Sequence, residues 1–256
     1  WELRGDECAK LVETALQNGY THIDTAQMYQ NEREVGAGIK ASGVDRDALF
    51  VTTKIWPDNY ASDAFARAVD ERLALLDCGT LDLLLLHWPP GAVSMAEAVA
   101  GLNRAKRAGF ARHIGISNFT VAQVEEAVAL SEEPLVCNQI EYHPLINQDK
   151  VRAACARHGL AVTAYCPIAR NKVADEPVMR DIAQRHDASP AQIALAWLAG
   201  HGDVISIPRS SRPERLADNL KALEVSLNDD EMAEISALKA RNLRLVDPEG
   251  VRPEWD

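Results

Sequence analysis

A chain of 256 residues with 25% charged and 47% apolar side chains is long enough to enclose a substantial core, in the proportions of an ordinary globular protein. Its formal net charge of −11 argues against a nucleic-acid partner, because phosphate binding needs clustered Lys and Arg. No apolar run approaches the ~18 residues that span a bilayer and no signal peptide is visible, so no membrane partner is expected. Cys8, Cys78, Cys137, Cys155 and Cys166 form no CxxC pair, which predicts neither disulfides nor a zinc site and fits a reducing cytoplasm.

In chain order, a helical pattern starts near Asp6 and is followed by a short β-rich run from Thr21 to Asp24. Gly36-Ala37-Gly38 lies inside the next helical pattern. Further β-rich runs are Phe50 to Lys54, Leu81 to His87, Arg112 to Ile116, Val136 to Ile140, Ala161 to Tyr165 and Val204 to Pro208. Several are almost wholly apolar, as strands covered on both faces should be. Helix starts between them carry caps: Ser94 with Glu97, Thr120 with Gln123, Asn228 with Glu231, and Ser189 followed by Pro190. Such alternation predicts a parallel sheet, open or closed into a barrel. No linker or low-complexity stretch divides the chain, so residues 1–256 are expected to form a single domain.

An open doubly wound sheet would ordinarily carry a GxGxxG loop after its first strand, and neither that motif nor GxxxxGK[ST] occurs. A (β/α)8 TIM barrel needs eight strands, whereas seven runs are read and a helical pattern begins almost at Trp1. The expectation is therefore a barrel whose first strand lies upstream of Trp1, outside this sequence.

Asp24, Lys54 and His87 each end a β-rich run, and Tyr29 follows Asp24 within about one turn. Singly, each has an ordinary structural use: a turn or helix cap for Asp24, packing for Tyr29, a solvated strand-end charge for Lys54, a carbonyl partner for His87. On neighbouring parallel strands, however, an acid, a phenol, an amine and an imidazole converge on one rim.

Those residues also carry a resemblance. Asp24-Thr25-Ala26-Gln27-Met28-Tyr29, Lys54 after Val51-Thr52-Thr53, Leu86-His87-Trp88-Pro89, Gly115-Ile116-Ser117-Asn118-Phe119, Asn138-Gln139-Ile140-Glu141 and Ile207-Pro208-Arg209-Ser210 resemble the aldo-keto reductase family, in register over essentially the whole chain. Arg244 to Gly250 and the terminal Pro253-Glu254-Trp255-Asp256 further resemble its bacterial 2,5-diketo-D-gluconate reductase B (methylglyoxal reductase) group. The resemblance implies a (β/α)8 barrel, with an N-terminal hairpin before the first strand. It also implies NADPH-dependent reduction of aldehydes and ketones, with methylglyoxal-like 2-oxoaldehydes and diketo sugar acids as the substrate class.

The chemistry agrees with what the resemblance implies. Reduction needs a hydride at carbon and a proton at oxygen, and Tyr29 could give the proton if Lys54 lowered its pKa from about 10. Asp24 would keep a buried Lys54 charged, and His87 would hydrogen-bond the carbonyl oxygen. By resemblance, Ser117, Asn118 and Gln139 would hydrogen-bond the nicotinamide carboxamide with Tyr165 stacking on its ring, and Asp24 would also be a cofactor-binding residue. Arg209, Ser210, Ser211, Arg212 and Arg215 gather three guanidiniums near a helix start at Pro213, which suits the extra 2′-phosphate of NADPH. Asp218 and Asn219 would reach the adenine by resemblance alone. Trp1, Trp56 and Trp88 fall just past strand ends and could wall a substrate pocket, while Trp197 reads as helix packing.

The sequence departs from the family pattern at Arg209, where lysine is common, and at Cys166, where serine is common and no glycine follows soon after. Contacts of that second loop with a pyrophosphate are therefore not carried over, and Cys166 reads as a small packing residue. Two other functions are consistent with parts of the pattern: a nonenzymatic NADPH-binding regulatory subunit, and a metal-dependent hydrolase using Asp24 and His87. A monomer is expected.

Overall fold

Alternating apolar runs and amphipathic segments yield seven parallel strands in the computed structural model, which describes residues 1–256. The strands are β1 (His22–Asp24), β2 (Phe50–Ile55), β3 (Leu81–Leu86), β4 (Ala111–Ser117), β5 (Leu135–Glu141), β6 (Ala161–Tyr165) and β7 (Val204–Ser206). Helix α1 (Gly5–Gln17) precedes β1, and α2 (Glu32–Ser42), α3 (Ser62–Leu76), α4 (Met95–Arg107), α5 (Val121–Leu130) and α6 (Asp149–Arg157) fill the next five connections. Two helices, α7 (Pro177–Arg185) and α8 (Pro190–Ala199), separate β6 from β7; α9 (Pro213–Leu220) and α10 (Asp229–Ala237) follow.

Each strand bonds to the next in sequence, so the spatial order is the chain order and every strand's C-terminal end reaches the same rim. The register opposes Asp24 to Thr52, Lys54 to Leu85, Ser117 to Gln139, and Glu141 to Tyr165. β1 and β7 are the sheet's edges and do not bond to each other. The sheet is nonetheless curled, because α1 packs on α9 and the Tyr20 hydroxyl donates to the Leu216 carbonyl at 2.9 Å, joining the two ends of the chain.

The two faces of the sheet divide the core. All six residues of β3 are buried; Leu84 and Leu86 join a cluster of 49 residues that includes the helices, whereas Leu83 and Leu85 join Cys137 with strand residues alone. Alternation of side chains along a strand produces this split, with the strand-only cluster on the concave face. Gly36 and Gly38 serve packing, not phosphate binding. A Cβ at Gly36 would meet the Leu76 carbonyl oxygen at 2.1 Å, and one at Gly38 the Ala9 carbonyl oxygen at 2.5 Å. Their absence of side chains lets α2 lie directly on α1 and the end of α3.

Thr120, Asn228 and Ser189 form reciprocal capping boxes with Gln123, Glu231 and Gln192. Ser94 caps α4 through the Glu97 amide, but the Glu97 carboxylate turns away to the Ser62 amide at 3.2 Å, where the start of α3 offers a competing donor. Trp197 is buried in α8 and donates to Ser236 at 3.0 Å. No helix is long and apolar enough to cross a membrane, and the five cysteines are unpaired.

Candidate active site

The rim at the ends of β1, β2 and β3 brings Asp24, Lys54, His87 and Tyr29 together. Lys54 is fully buried; its ammonium donates to the Asp24 carboxylate and, at 2.8 Å, to the Thr25 carbonyl. The other Asp24 oxygen accepts from the Gln139 amide at 2.7 Å. Tyr29 ends a short 3-10 turn, Gln27–Tyr29, closed by Gln30 in the left-handed region (φ 52°). That turn sets the Tyr29 ring 5.1 Å from the Lys54 ammonium and 5.6 Å from the His87 ring, edge to face. The Gln27 side chain accepts from the Trp56 amide at 2.9 Å, which ties the turn to the end of β2.

Burial and charge set the protonation states. Burial opposes a charged Lys54, but Asp24 and Tyr29 beside it outweigh that penalty and raise its pKa, so it stays an ammonium. Burial pushes the Tyr29 phenol above its ordinary pKa, and Lys54 offsets this only in part. The expectation that Lys54 makes Tyr29 more acidic than free tyrosine is thus corrected: desolvation of the phenolate exceeds the pull of the ammonium. Burial, then Lys54, holds His87 well below the usual histidine range, so its ring is neutral. Its Nδ1 is buried without a hydrogen-bond partner, and the ring is held by Trp56 at 5.3 Å, Tyr29, and Trp88 at 6.5 Å.

The residues assigned to the nicotinamide form one hydrogen-bonded group. Ser117 donates to the Gln139 carbonyl at 2.8 Å, and Asn118 donates to the His87 carbonyl at 3.0 Å and to Ser117 at 3.1 Å. Tyr165 donates to the Asn118 side-chain oxygen at 2.8 Å. Asn118 sits at φ 66°, a left-handed corner that asparagine tolerates better than most residues. Through Gln139, this group is continuous with Asp24 and Lys54.

The basic loop stands apart from that group. Arg212 and Arg215 are exposed and without ion pairs, flanking Pro213 at the first turn of α9. Arg209 pairs with Glu2 at 2.8 Å. Buried Ser210 bonds the Arg212 backbone on both sides, at 2.9 and 3.0 Å, while Ser211 is exposed. Asp218 pairs with Lys221 at 2.9 Å, and Asn219 lies against the Tyr20 hydroxyl.

Of the three tryptophans, Trp1 is exposed and Trp56 partly so, but Trp88 is buried between His87 and Trp255. Cys166 adopts φ 51°, and Ala169, Arg170 and Asn171 are also left-handed, so this loop makes its turns without glycine. Burial and Glu141 raise the Cys166 thiol above its ordinary pKa, which leaves little thiolate. Sequence reasoning did not single out Glu141. It ends β5 fully buried, and its carboxylate accepts the amides of Leu245 and Val246 at 2.7 and 2.8 Å, together with His143 at 2.9 Å. An acid closing a β-rich run was the available signal.

Known proteins are similar to this chain over nearly its whole length. The profile of the Aldo/keto reductase family matches residues 1–240. Methylglyoxal reductase DkgB of Escherichia coli O157:H7 is 42% identical over 259 aligned positions, covering 100% of this chain and 96% of that protein. A solved structure provisionally named a 2,5-diketo-D-gluconic acid reductase B superimposes with a TM-score of 0.95 at 45% identity, covering 98% of this chain and 89% of the other. The Bombyx mori aldo-keto reductase in complex with NADP matches with a TM-score of 0.88 at 36% identity, over 94% and 85% of the two chains. The chain belongs to the aldo/keto reductase family and is an oxidoreductase of carbonyl compounds.

Proposed function

We propose that this enzyme reduces small 2-oxoaldehydes of the methylglyoxal type with NADPH, taking the proton from Tyr29. The observation that carries this reading is the fully buried Lys54, paired with Asp24 and 5.1 Å from the Tyr29 ring, beside a neutral His87. A phenol raised by burial stays protonated at neutral pH and is ready to donate. When the substrate oxygen takes that proton, Lys54 stabilises the phenolate left behind, and Asp24 keeps Lys54 charged throughout. An unpaired buried N–H is costlier than an unpaired ring nitrogen, so the His87 proton belongs on Nε2, which donates to the carbonyl oxygen and orients it.

NADPH, when bound, supplies the hydride. Ser117, Asn118 and Gln139 bring amide and hydroxyl groups together beside Tyr165, which suits a carboxamide-bearing ring. Arg212 and Arg215 offer unpaired guanidiniums at the first turn of α9, which suits a 2′-phosphate, with Arg209 available if it exchanges Glu2. The NADP carried by the Bombyx mori relative supports this cofactor, and the names of the methylglyoxal and diketogluconate reductases support the substrate class.

The regulatory-subunit alternative is disfavoured by a complete set of acid, phenol, amine and imidazole at the rim. The hydrolase alternative lacks a donor set, since no three His, Cys, Asp or Glu side chains converge to hold a metal. We read residues 1–256 as one domain, because the 49-residue core runs from Cys8 to Ile235, and the curled sheet as that of a (β/α)8 barrel. A cytoplasmic monomer completes the proposal. A steady-state screen of 2-oxoaldehydes and diketo sugar acids against NADPH and NADH tests it. Highest kcat/KM for a 2-oxoaldehyde with NADPH is expected; preference for NADH, or for a diketo sugar acid, would overturn the corresponding part.

A further inference from the structure

The C-terminal segment from Leu243 to Asp256 is absorbed by neither the fold nor the proposed chemistry, yet it is fastened at several points. Glu141 accepts the consecutive amides of Leu245 and Val246, and the Gln148 side chain braces the Glu141 carbonyl at 2.8 Å. The guanidinium of Arg244 stacks on the Trp255 ring at 3.6 Å. The Trp255 indole donates to Asp247 at 2.8 Å, Arg252 also pairs with Asp247, and Asp256 accepts the first amide of α5, from Val121, at 2.9 Å. These contacts fix the Trp255 ring 6.2 Å from the Trp88 ring, inclined at 63°.

Trp88 in turn stacks on His87 at 6.5 Å and is fixed along its backbone by Tyr60, which donates to the Trp88 carbonyl at 2.8 Å and accepts its amide at 3.3 Å. A histidine ring is usually oriented by a hydrogen bond to its second nitrogen. His87 has none at Nδ1, and the aromatic rings of Tyr29, Trp56 and Trp88 pack around it instead. Of these, Trp88 alone has another aromatic ring behind it, and that ring comes from the tail.

We propose that the C-terminal segment is a clasp, fastened by Glu141, that presses Trp255 against Trp88 and thereby fixes the ring of His87. Trp255 and Glu141 are then positioning residues for the reduction. This rests on the His87 role proposed above. Small errors in the placement of a reacting group are expensive, so loss of the clasp lowers turnover more than cofactor affinity.

The test compares Trp255→Ala, Trp255→Phe and Val246→Pro, the last deleting one N–H held by Glu141, with the wild-type protein. Trp255→Ala is expected to lower kcat for methylglyoxal about tenfold, with the NADPH Kd unchanged and the protein still folded by circular dichroism. Trp255→Phe restores most of the loss, and Val246→Pro gives a smaller loss in the same direction. Wild-type kcat in Trp255→Ala, or a loss that Phe does not recover, would overturn the clasp. The His87 ring resonances, followed by 1H–13C NMR, give a readout that needs no turnover. They are expected to shift or broaden in Trp255→Ala, and unchanged resonances would overturn the proposal even if the wild-type protein reduced none of the carbonyls tried. Absence of any wild-type turnover would instead count against the proposed reaction.

Discussion

At the rim of β1 to β6, the polar groups central to the proposed chemistry hold one another in place. Lys54 is enclosed by Asp24 and Thr25, Asp24 is shared with Gln139, and Asn118 has three side-chain bonds. In the loop from Arg209 to Asn219 the guanidiniums are free or nearly so: Arg212 and Arg215 are unpaired, and Arg209 holds only an exposed carboxylate. The difference follows from burial. A buried ammonium must be paired or it loses its proton, whereas an exposed guanidinium keeps its charge in water and can await a phosphate. Substitutions at the rim should therefore affect turnover or stability, and substitutions in the loop affinity alone.

The largest expected effect is at the proton donor. Tyr29→Phe should lower kcat by about 10³-fold with the NADPH Kd unchanged, since the rest of the rim is untouched. Stopped-flow reduction and fluorescence titration of NADPH measure the two separately, and retained kcat would remove Tyr29 from the mechanism. Lys54→Met should come next, and it should act on both stability and activity. It leaves the Asp24 carboxylate buried without its counter-ion, which costs about 3–5 kcal/mol and lowers Tm by roughly 10 °C. Thermal denaturation checks this, and an unchanged Tm would mean that the rim is not held by the pair.

In the loop, Arg215→Ala should weaken NADPH by about 10–100-fold, the loss of one charge-assisted contact, and NADH by less than about twofold. Its Tm without cofactor should equal that of the wild-type protein. Equal losses for the two cofactors, seen by titration, would place Arg215 away from the 2′-phosphate and erase the contrast with the rim.

How much of this was legible in the sequence follows the same division between local and long-range causes. All seven strands were readable, with no end shifted by more than two residues, because each is a short run of β-formers between helix caps. The convergence of Asp24, Tyr29, Lys54 and His87 followed from parallel pairing and in-register motifs. The direction of the Tyr29 pKa shift was not legible, because desolvation of the phenol outweighs the opposing pull of Lys54. The Glu97 side chain left its expected cap for Ser62, 35 residues away. Glu141 binds amides more than 100 positions downstream, and Trp88 is covered by a tryptophan near the end of the chain. No local pattern announces such pairings, nor the left-handed Cys166, Ala169, Arg170 and Asn171, where glycine would have been the ordinary signal.

The smallest prediction concerns Arg209, the residue that belongs to neither extreme. Its ion pair with Glu2 has both partners substantially exposed, so the pair itself contributes little, about 0–1 kcal/mol. If Arg209 contributes to the 2′-phosphate site, Glu2 competes with the phosphate for the same guanidinium. Removing it should then help binding. Glu2→Ala is expected to tighten NADPH by up to about threefold, within the worth of an exposed ion pair, and to leave NADH unchanged. The gain should shrink as salt is raised, because screening weakens the competitor first. Weaker NADPH binding in Glu2→Ala would mean that Glu2 orients Arg209 toward the phosphate instead of withholding it, and would move Arg209 from the adaptable loop into the class of groups that hold one another in place.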